Sequence, residues 1–476
     1  MKQPIVLTPL YQNVSEESQR QGSTKLINSY VDEAGAWRGS PGLLEYADVG
    51  IDFPVQSWYW QNKKYLIHAC NNKLFYQASD GGAVVEITLS GIALDATKRI
   101  SFVGDKYRLY FAWGGKVATW LPGSDAVYCS VGTIPSEVTH LAIFDGYIMA
   151  NDIVIDAYYY ATPNTGIATG EPTWAAGDTA QGMPDTLTAI AVEWRDMLLA
   201  GPSSIEMWYN AGTPLPASPF LRREGSFIQR GIIAPHTLKG VDNTWYWLDH
   251  ERKVVQLQGV TPKVISSPID LPLSKMDNVV DAYGMTASIG GKNWYVLTIP
   301  SEGKTYAYEY GLQQWSEWGE WLPAIGKFEK YPANAMTYSQ DWNKIFIGST
   351  KSDGKVYVLD LNTFSLANGI LRRVVETAYI DRGSSNSKRC DRLQMRIKAG
   401  QYIASGNARL SIRYKDDGKP WSQYRHKDLG TTGETEFMFE FRTLGIYKAR
   451  KWEFVFTSPA DLVVQAIEED FTVLLA

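Results

Sequence analysis

Residues 58–76 read WYWQNKKYLIHACNNKLFY: an apolar run, a tight turn beginning at Asn62, an aromatic and β-branched run, and beyond a second turn a third run, Leu74-Phe75-Tyr76. The phrase recurs along the chain as far as Asp360. Its turns begin at Asn62, Gly104, Asp145, Arg195, Asp242, Gly290 and Asp341, at successive spacings of 42, 41, 50, 47, 48 and 51 residues. Each turn leads into a run suited to a buried strand, among them Tyr65-Leu66-Ile67, Leu109-Tyr110-Phe111, Tyr246-Trp247-Leu248 and Ile345-Phe346-Ile347. Aromatic and β-branched residues fit a pleated, half-buried surface. A four-stranded blade needs about 40 to 50 residues, and about 4 to 8 blades close a ring. The spacing predicts an all-β chain whose residues 52–362 form a β-propeller of about seven blades.

The flanks lack this period. Residues 1–50 hold a strand, Leu26 to Tyr30, and a rigid corner, Ser40-Pro41-Gly42-Leu43. Residues 371–476 alternate apolar and polar positions in six runs, Val374 to Ile380, Leu393 to Ile397, Ala408 to Tyr414, Thr435 to Arg442, Trp452 to Thr457 and Leu462 to Glu468, which suggests a β-sandwich. The N-terminal piece is too small to bury a core of its own, so it is expected to pack with the C-terminal domain into one platform. Two turn-rich stretches, Tyr158 to Leu187 and Ala211 to His236, read as long insertions between blade strands and therefore as contact loops. They supply the candidate interface residues Tyr159, Pro163, Trp174, Phe220, Arg222 and Arg223. Ser274 to Tyr283 is expected to form a short helix.

Charge is unevenly distributed. The chain has net charge −5, but residues 371–476 carry 18 Lys and Arg against 14 Asp and Glu, leaving 28 against 37 for residues 1–370. An acidic propeller argues against a surface that grips nucleic acid. The doublets Arg222-Arg223, Arg372-Arg373 and Lys388-Arg389 read as solvated or interface charges. Three scattered cysteines, Cys70, Cys129 and Cys390, form no metal-binding spacing and suit a reducing cytosol. The proline-broken N-terminus lacks a secretory signal pattern, and no apolar stretch approaches 18 residues, so neither a signal peptide nor a membrane span is expected.

No local motif demands catalysis. Tyr414 to Trp421 is similar to the Asp-box of sialidases, but it occurs singly, lacks the usual Ser, and reads most simply as an Asp-stabilised turn. Trp315, Trp318 and Trp321 are spaced like thrombospondin-type repeats without the cysteines those need, which favours a buried aromatic strand end. Glu193, Asp196, Glu206, Asp249 and Glu309 fall near inner strands, where a glycosidase would need two carboxylates about 5 to 9.5 Å apart. His68, His140, His236, His250 and His426 show no metal spacing, and the Gly-Gly-Lys triplets at 114–116 and 290–292 are hairpin turns rather than phosphate loops. No catalytic residue, metal or cofactor is expected.

The stretch from Glu193 through Trp194, Arg195 and Asp196 to Ser204, Ile205, Glu206 and Trp208 resembles the tail hub, or nozzle, proteins of short-tailed phages, also called packaged-DNA stabilisation proteins or tail accessory factors. Phe227 to Ile232, with Gly231, follows at that family's interval. Leu26 to Tyr30 with Ser40 to Leu43 matches its opening, and Leu444 to Lys451 with Phe454 to Leu462 its close. The resemblance implies a non-enzymatic virion protein, assembled in the host cytoplasm, that forms a homohexameric ring below the portal and its adaptor ring. It further implies that the ring extends the DNA channel, retains packaged DNA until ejection without reading its sequence, and carries tailspikes or fibres and a tail needle or plug. In that arrangement the platform mounts on the adaptor. The alternatives are a carbohydrate-active propeller, glycosidase or lectin, suggested by the aromatic content and the Asp-box, and a free-standing protein-interaction propeller.

Overall fold

The turns that mark the repeat contain backbone that only a few residue types adopt without strain. Asp145 and Gly146 have φ of 48° and 85°, Asp242 and Asn243 of 53° and 56°, and Gly290 and Gly291 of 57° and 77°. Two consecutive positive φ values make the tight hairpin turn whose twist matches that of its flanking strands. Phe144 accordingly pairs with Tyr147, Val241 with Thr244 and Ile289 with Lys292. The computed structural model describes residues 1–7, 23–162, 170–179, 185–193, 195–214, 217–367, 369–398, 409–429 and 436–474. Within these, Asn62, Asp145 and Asp242 occupy equivalent hairpins, each between the first and second strands of a four-stranded meander.

Six such meanders are separate four-stranded sheets. Five run consecutively from Val55–Trp60 to Thr261–Val264, and the sixth contains Ala333–Ser339, Lys344–Ser349 and Lys355–Asp360. A further meander, Tyr283–Ile289 to Gln314–Glu317, has the same four-strand order but is fused into a nine-stranded sheet. The difference from the expected count of about seven lies in that fusion: six blades stand free, and one repeat unit is shared with the neighbouring domain. The first strand of every unit faces a common axial cavity.

The second strands explain why the repeat is so apolar. Tyr65–Cys70, Leu109–Ala112 and Tyr147–Asp152 are buried on both faces because each is sandwiched between neighbouring blades. Such strands show continuous apolar runs rather than alternation. Trp60 and Ile67 pack with Phe111 and Trp120, Tyr158 with Met197 and Trp208, and Leu66 with Phe346, which carries the packing across the ring's closure. The last free blade is completed from far away in sequence: Gly42–Asp48 is its outermost strand, with Leu43 opposite Leu359.

The remaining strands form two facing sheets. One contains Trp37–Gly39, Val463–Val473, Lys388–Lys398 and Glu436–Arg442; the other continues from the fused meander through Ser23–Ile27 to Arg373–Thr377, Arg450–Phe456, Arg409–Asp416 and Arg425–Asp428. Trp37, Leu393, Ile397, Ile412, Phe454 and Val464 fill the space between them, and Tyr246, Leu297 and Tyr308 of the propeller join the same core.

Three sequence readings change. The helix lies at Asp270–Ser274, just ahead of the expected stretch. Glu302 accepts the backbone N–H groups of Asp277 and Asn278, which fixes the following residues as turns. Each of the two long insertions contributes blade strands: Ala157–Ala161 and Trp174–Thr179 are the outer strands of one blade, and Phe220–Arg222 is the outermost strand of the next. Finally, the basic doublets are not all surface charge. Arg373 and Lys388 are buried; Arg373 donates to the Ala460 carbonyl at 2.8 Å, and the Lys388 ammonium donates to three carbonyls, those of Ser384, Asn386 and Lys448, at 2.6 to 2.9 Å. Burial lowers the Arg373 pKa to about 10.

Candidate functional site

The motif residues converge on the fourth blade, where the sequence requires a latch. Ser204 donates to the Asp185 carboxylate through both N–H and hydroxyl, at 2.9 and 3.1 Å, and Ser203 does the same. Ile205 then exchanges backbone hydrogen bonds with Ile228, 2.9 and 3.0 Å, which seats residues 227–232 against the blade. Gly231 completes the contact: a Cβ there would fall 2.2 Å from the backbone of Pro202 and Ser203, so only glycine permits the approach. These residues build the blade edge and carry no chemistry of their own.

The edge itself is charged. Asp196 accepts from the Arg223 Nε at 2.9 Å, and the Arg223 guanidinium lies 5.6 Å from the Tyr209 ring centre. Glu206, only 3% exposed, accepts from the Trp208 indole at 3.0 Å and lies 3.6 Å from Arg222. Glu206, Arg222 and Arg223 line a recess of about 310 Å³ together with Phe227, which is 37% exposed. Arg195 is exposed at the hairpin tip. Trp194 and Pro163 lie outside the described residues.

Three of the expected interface residues are core residues. Tyr159, Trp174 and Phe220 are 4%, 1% and 0% exposed, because they sit on outer blade strands packed against the adjacent blade rather than on free loops. Phe220 anchors an aromatic cluster with Phe144, Tyr147, Tyr158 and Tyr160.

A second recess, of about 750 Å³, opens where the propeller meets the sandwich. The hairpin of Gly319–Leu322 and Lys327–Lys330 contributes Trp321, which the Arg372 guanidinium overlies at 4.1 Å. Arg413 is held by Glu453 at 2.8 Å, and Tyr424 donates to the same carboxylate at 2.6 Å. Burial, reinforced by Glu453, pushes the Tyr424 hydroxyl up to about 12. Arg372 was visible in sequence as half of a doublet; its pairing with Trp321 was not, because the two come from different domains.

Of the carboxylates considered for glycoside chemistry, those whose side chains are described are engaged in bonds within the fold. Asp249 is fully buried and paired with Arg230, Glu309 accepts the N–H groups of Gly311 and Leu312, and Glu206 is held as above. Asp417 in the Asp-box-like turn accepts from the backbone of Lys448 and Ala449, at 3.0 and 2.7 Å, a structural role. Among the described residues no group of three or more His, Cys, Asp or Glu is arranged to hold a metal. No described helix is long and apolar enough to cross a membrane.

A propeller fused to a sandwich, with motif residues spent on the architecture of one blade, defines a structural β-propeller protein. The chain belongs to the family described as "Bacteriophage P22 Gp10, beta-propeller", whose family model matches residues 25–364. It is thus a phage tail nozzle or stabilisation protein, a structural component of the virion. No curated protein matches the sequence. Among solved structures, the extracellular domain of BT4673 from B. thetaiotaomicron is 13% identical over 73% of this chain and 42% of its own, with a TM-score of 0.42. A chain of the Mitotic Checkpoint Complex is 12% identical over 67% of this chain and 94% of its own, with a TM-score of 0.41. PorZ of Porphyromonas gingivalis is 10% identical over 82% of this chain and 48% of its own, with a TM-score of 0.40. The chain therefore spans less than half the length of BT4673 and PorZ, and likenesses this remote bear on no functional argument.

Proposed function

We propose that the chain is the tail hub itself: a non-enzymatic subunit that assembles as a hexameric ring below the portal and its adaptor, extends the DNA passage, retains packaged DNA and carries spikes or fibres and a needle or plug. Residues 1–50 and 371–476 serve in this reading as the platform that mounts on the adaptor, and assembly takes place in the host cytoplasm. The observation that carries it, beyond family membership, is the nine-stranded sheet in which the meander Tyr283–Ile289 to Gln314–Glu317 is joined to the sandwich through the parallel pairing of Ile27 with Glu317. Hydrogen bonding between the two bodies suits a subunit that transmits force between a mounting ring and appendages.

The DNA passage lies between subunits in this reading, because the propeller's own axial cavity, about 390 Å³, holds only small molecules. An acidic propeller surface suits DNA that must slide rather than bind. The carbohydrate-active alternative has less support, since Asp196, Glu206, Asp249 and Glu309 are committed to bonds within the fold. Negative-stain imaging of the purified chain with portal and adaptor tests the proposal. A sixfold ring seated on the adaptor is expected; a persistent monomer, or glycan cleavage by the isolated chain, overturns it.

A further inference from the structure

The axial cavity has a composition unlike the rest of the propeller. Arg99, His140, His236 and Lys239 all line it, together with Trp58, Phe102 and Trp245, and no described Asp or Glu does. All four titratable residues lie at, or just before, the start of a first strand, so one end of the cavity collects them. In a propeller that is otherwise net acidic, this cluster stands without an acidic partner.

Its geometry is that of a prepared site. The Arg99 guanidinium lies 3.8 Å from the Tyr283 ring centre and donates to the Asn334 side-chain oxygen at 2.8 Å and to the Asn334 carbonyl, which fixes its plane. The two imidazoles stack with ring centres 4.8 Å apart, and Thr139 holds the His140 Nδ1 at 3.0 Å. His140 is itself 8% exposed and its ring is held by the protein, with backbone hydrogen bonds at Pro235 and Thr188. Lys239 lines the cavity, and burial, with repulsion from Arg99, lowers its pKa to about 8. Burial and then Lys239 lower His140 to about 3 against the opposing pull of those backbone hydrogen bonds, and burial, then His140, Arg99 and Lys239, hold His236 well below its ordinary value. No carboxylate contributes to these shifts.

We propose that the axial cavity binds a phosphate group, with Arg99 and Lys239 supplying the charge. A planar guanidinium held by other bonds favours oxyanions, and phosphate most of all, because its forked donors match their geometry. The cavity, about 390 Å³ with aromatic walls, falls within the range of small-molecule sites and exceeds one anion, so the phosphate is carried on a small organic ester. This site is independent of ring assembly.

Calorimetric titration of the full chain with inorganic phosphate, glucose 6-phosphate and glucose tests it. Saturable binding of the ester or of inorganic phosphate, and none of glucose, is expected; their relative affinities tell a free ion from an ester. Lys239→Gln should weaken binding at least tenfold, with Lys239→Arg restoring most of it. Lys239 lines the cavity, so its variants should keep the wild-type melting temperature, which is measured alongside. Absence of saturable binding by both phosphates, glucose binding as tightly as its phosphate, or unchanged affinity in Lys239→Gln overturns the proposal.

Discussion

Asn28 and Gly319 hold one another by two reciprocal bonds: the Asn28 side-chain amide donates to the Gly319 carbonyl at 2.7 Å, and the Gly319 N–H donates to the Asn28 side-chain oxygen at 2.9 Å. The same amide also donates to the Arg372 carbonyl at 2.9 Å. The residue is fully buried with φ of 49°. A side-chain amide therefore substitutes for a peptide group where three chain segments meet, at the end of the fused blade and the start of the sandwich.

Replacing Asn28 with Leu should destabilise the protein by about 3 kcal/mol, because it leaves a buried N–H and two carbonyls without partners. Asn28→Asp keeps the shape but offers no donor, and should also be costly. Urea unfolding of both variants measures this; losses below about 1 kcal/mol would show that the junction is held elsewhere.

Leu43→Ala should cost about 2–5 kcal/mol, the range for emptying a buried leucine site. Leu43 is fully buried in the strand that closes the last free blade. Hydrogen exchange should then rise first in Gly42–Asp48 and Lys355–Asp360, ahead of the other blades. Uniform loss of protection around the ring would contradict this.

Acid should weaken the propeller through His68, a fully buried ring held at 3.0 Å by both Ser57 and Gln77. Burial lowers its pKa from 6.5 to about 4. The unfolded chain takes up the proton first, so this residue's contribution is complete above about pH 6.5 and is lost as pH falls toward 4. By pH 4.5 the loss is on the order of 2 kcal/mol. His68→Gln should lose that much less than wild type between pH 7 and 4.5 in urea midpoints; equal losses would remove His68 as the cause.

At the fourth blade's edge, where the exposed Glu224 lines the same recess as Phe227, Glu224→Lys with Phe227→Ser should change stability by no more than about 1 kcal/mol, since surface side chains contribute little. Ring formation on the adaptor should nevertheless fail if this recess receives a neighbouring subunit or appendage. Normal rings from the double variant would assign the edge to solvent.

Legibility followed locality. The hairpins were readable because Asp145-Gly146, Asp242-Asn243 and Gly290-Gly291 require positive φ, a demand that sequence expresses directly. Second strands were readable because double burial makes them continuously apolar. The outer strands Trp174–Thr179 and Phe220–Arg222 read as loops because they are short and lie in turn-rich stretches. Nothing in Leu43 announces Leu359, and nothing in Arg99 announces His140, His236 or Lys239: the four come from the starts of three different blades, and only ring closure brings them together. Arg373 and Lys388 misled because their charge suggested solvent, whereas backbone carbonyls supply their environment.

The strand Gly42–Asp48 leaves the ribosome early, but its partner Lys355–Asp360 is made some 300 residues later. At cytoplasmic elongation rates of about 5–20 residues per second, roughly 15 to 60 s separate the two. Throughout that interval Leu43 and Leu44 stand on an unpaired edge able to join the wrong sheet, on this chain or on another emerging from the same message. Strengthening the finished ring does nothing to shorten that wait, whereas a holdase chaperone that covers the ribbon during synthesis is expected to raise the yield of folded chain.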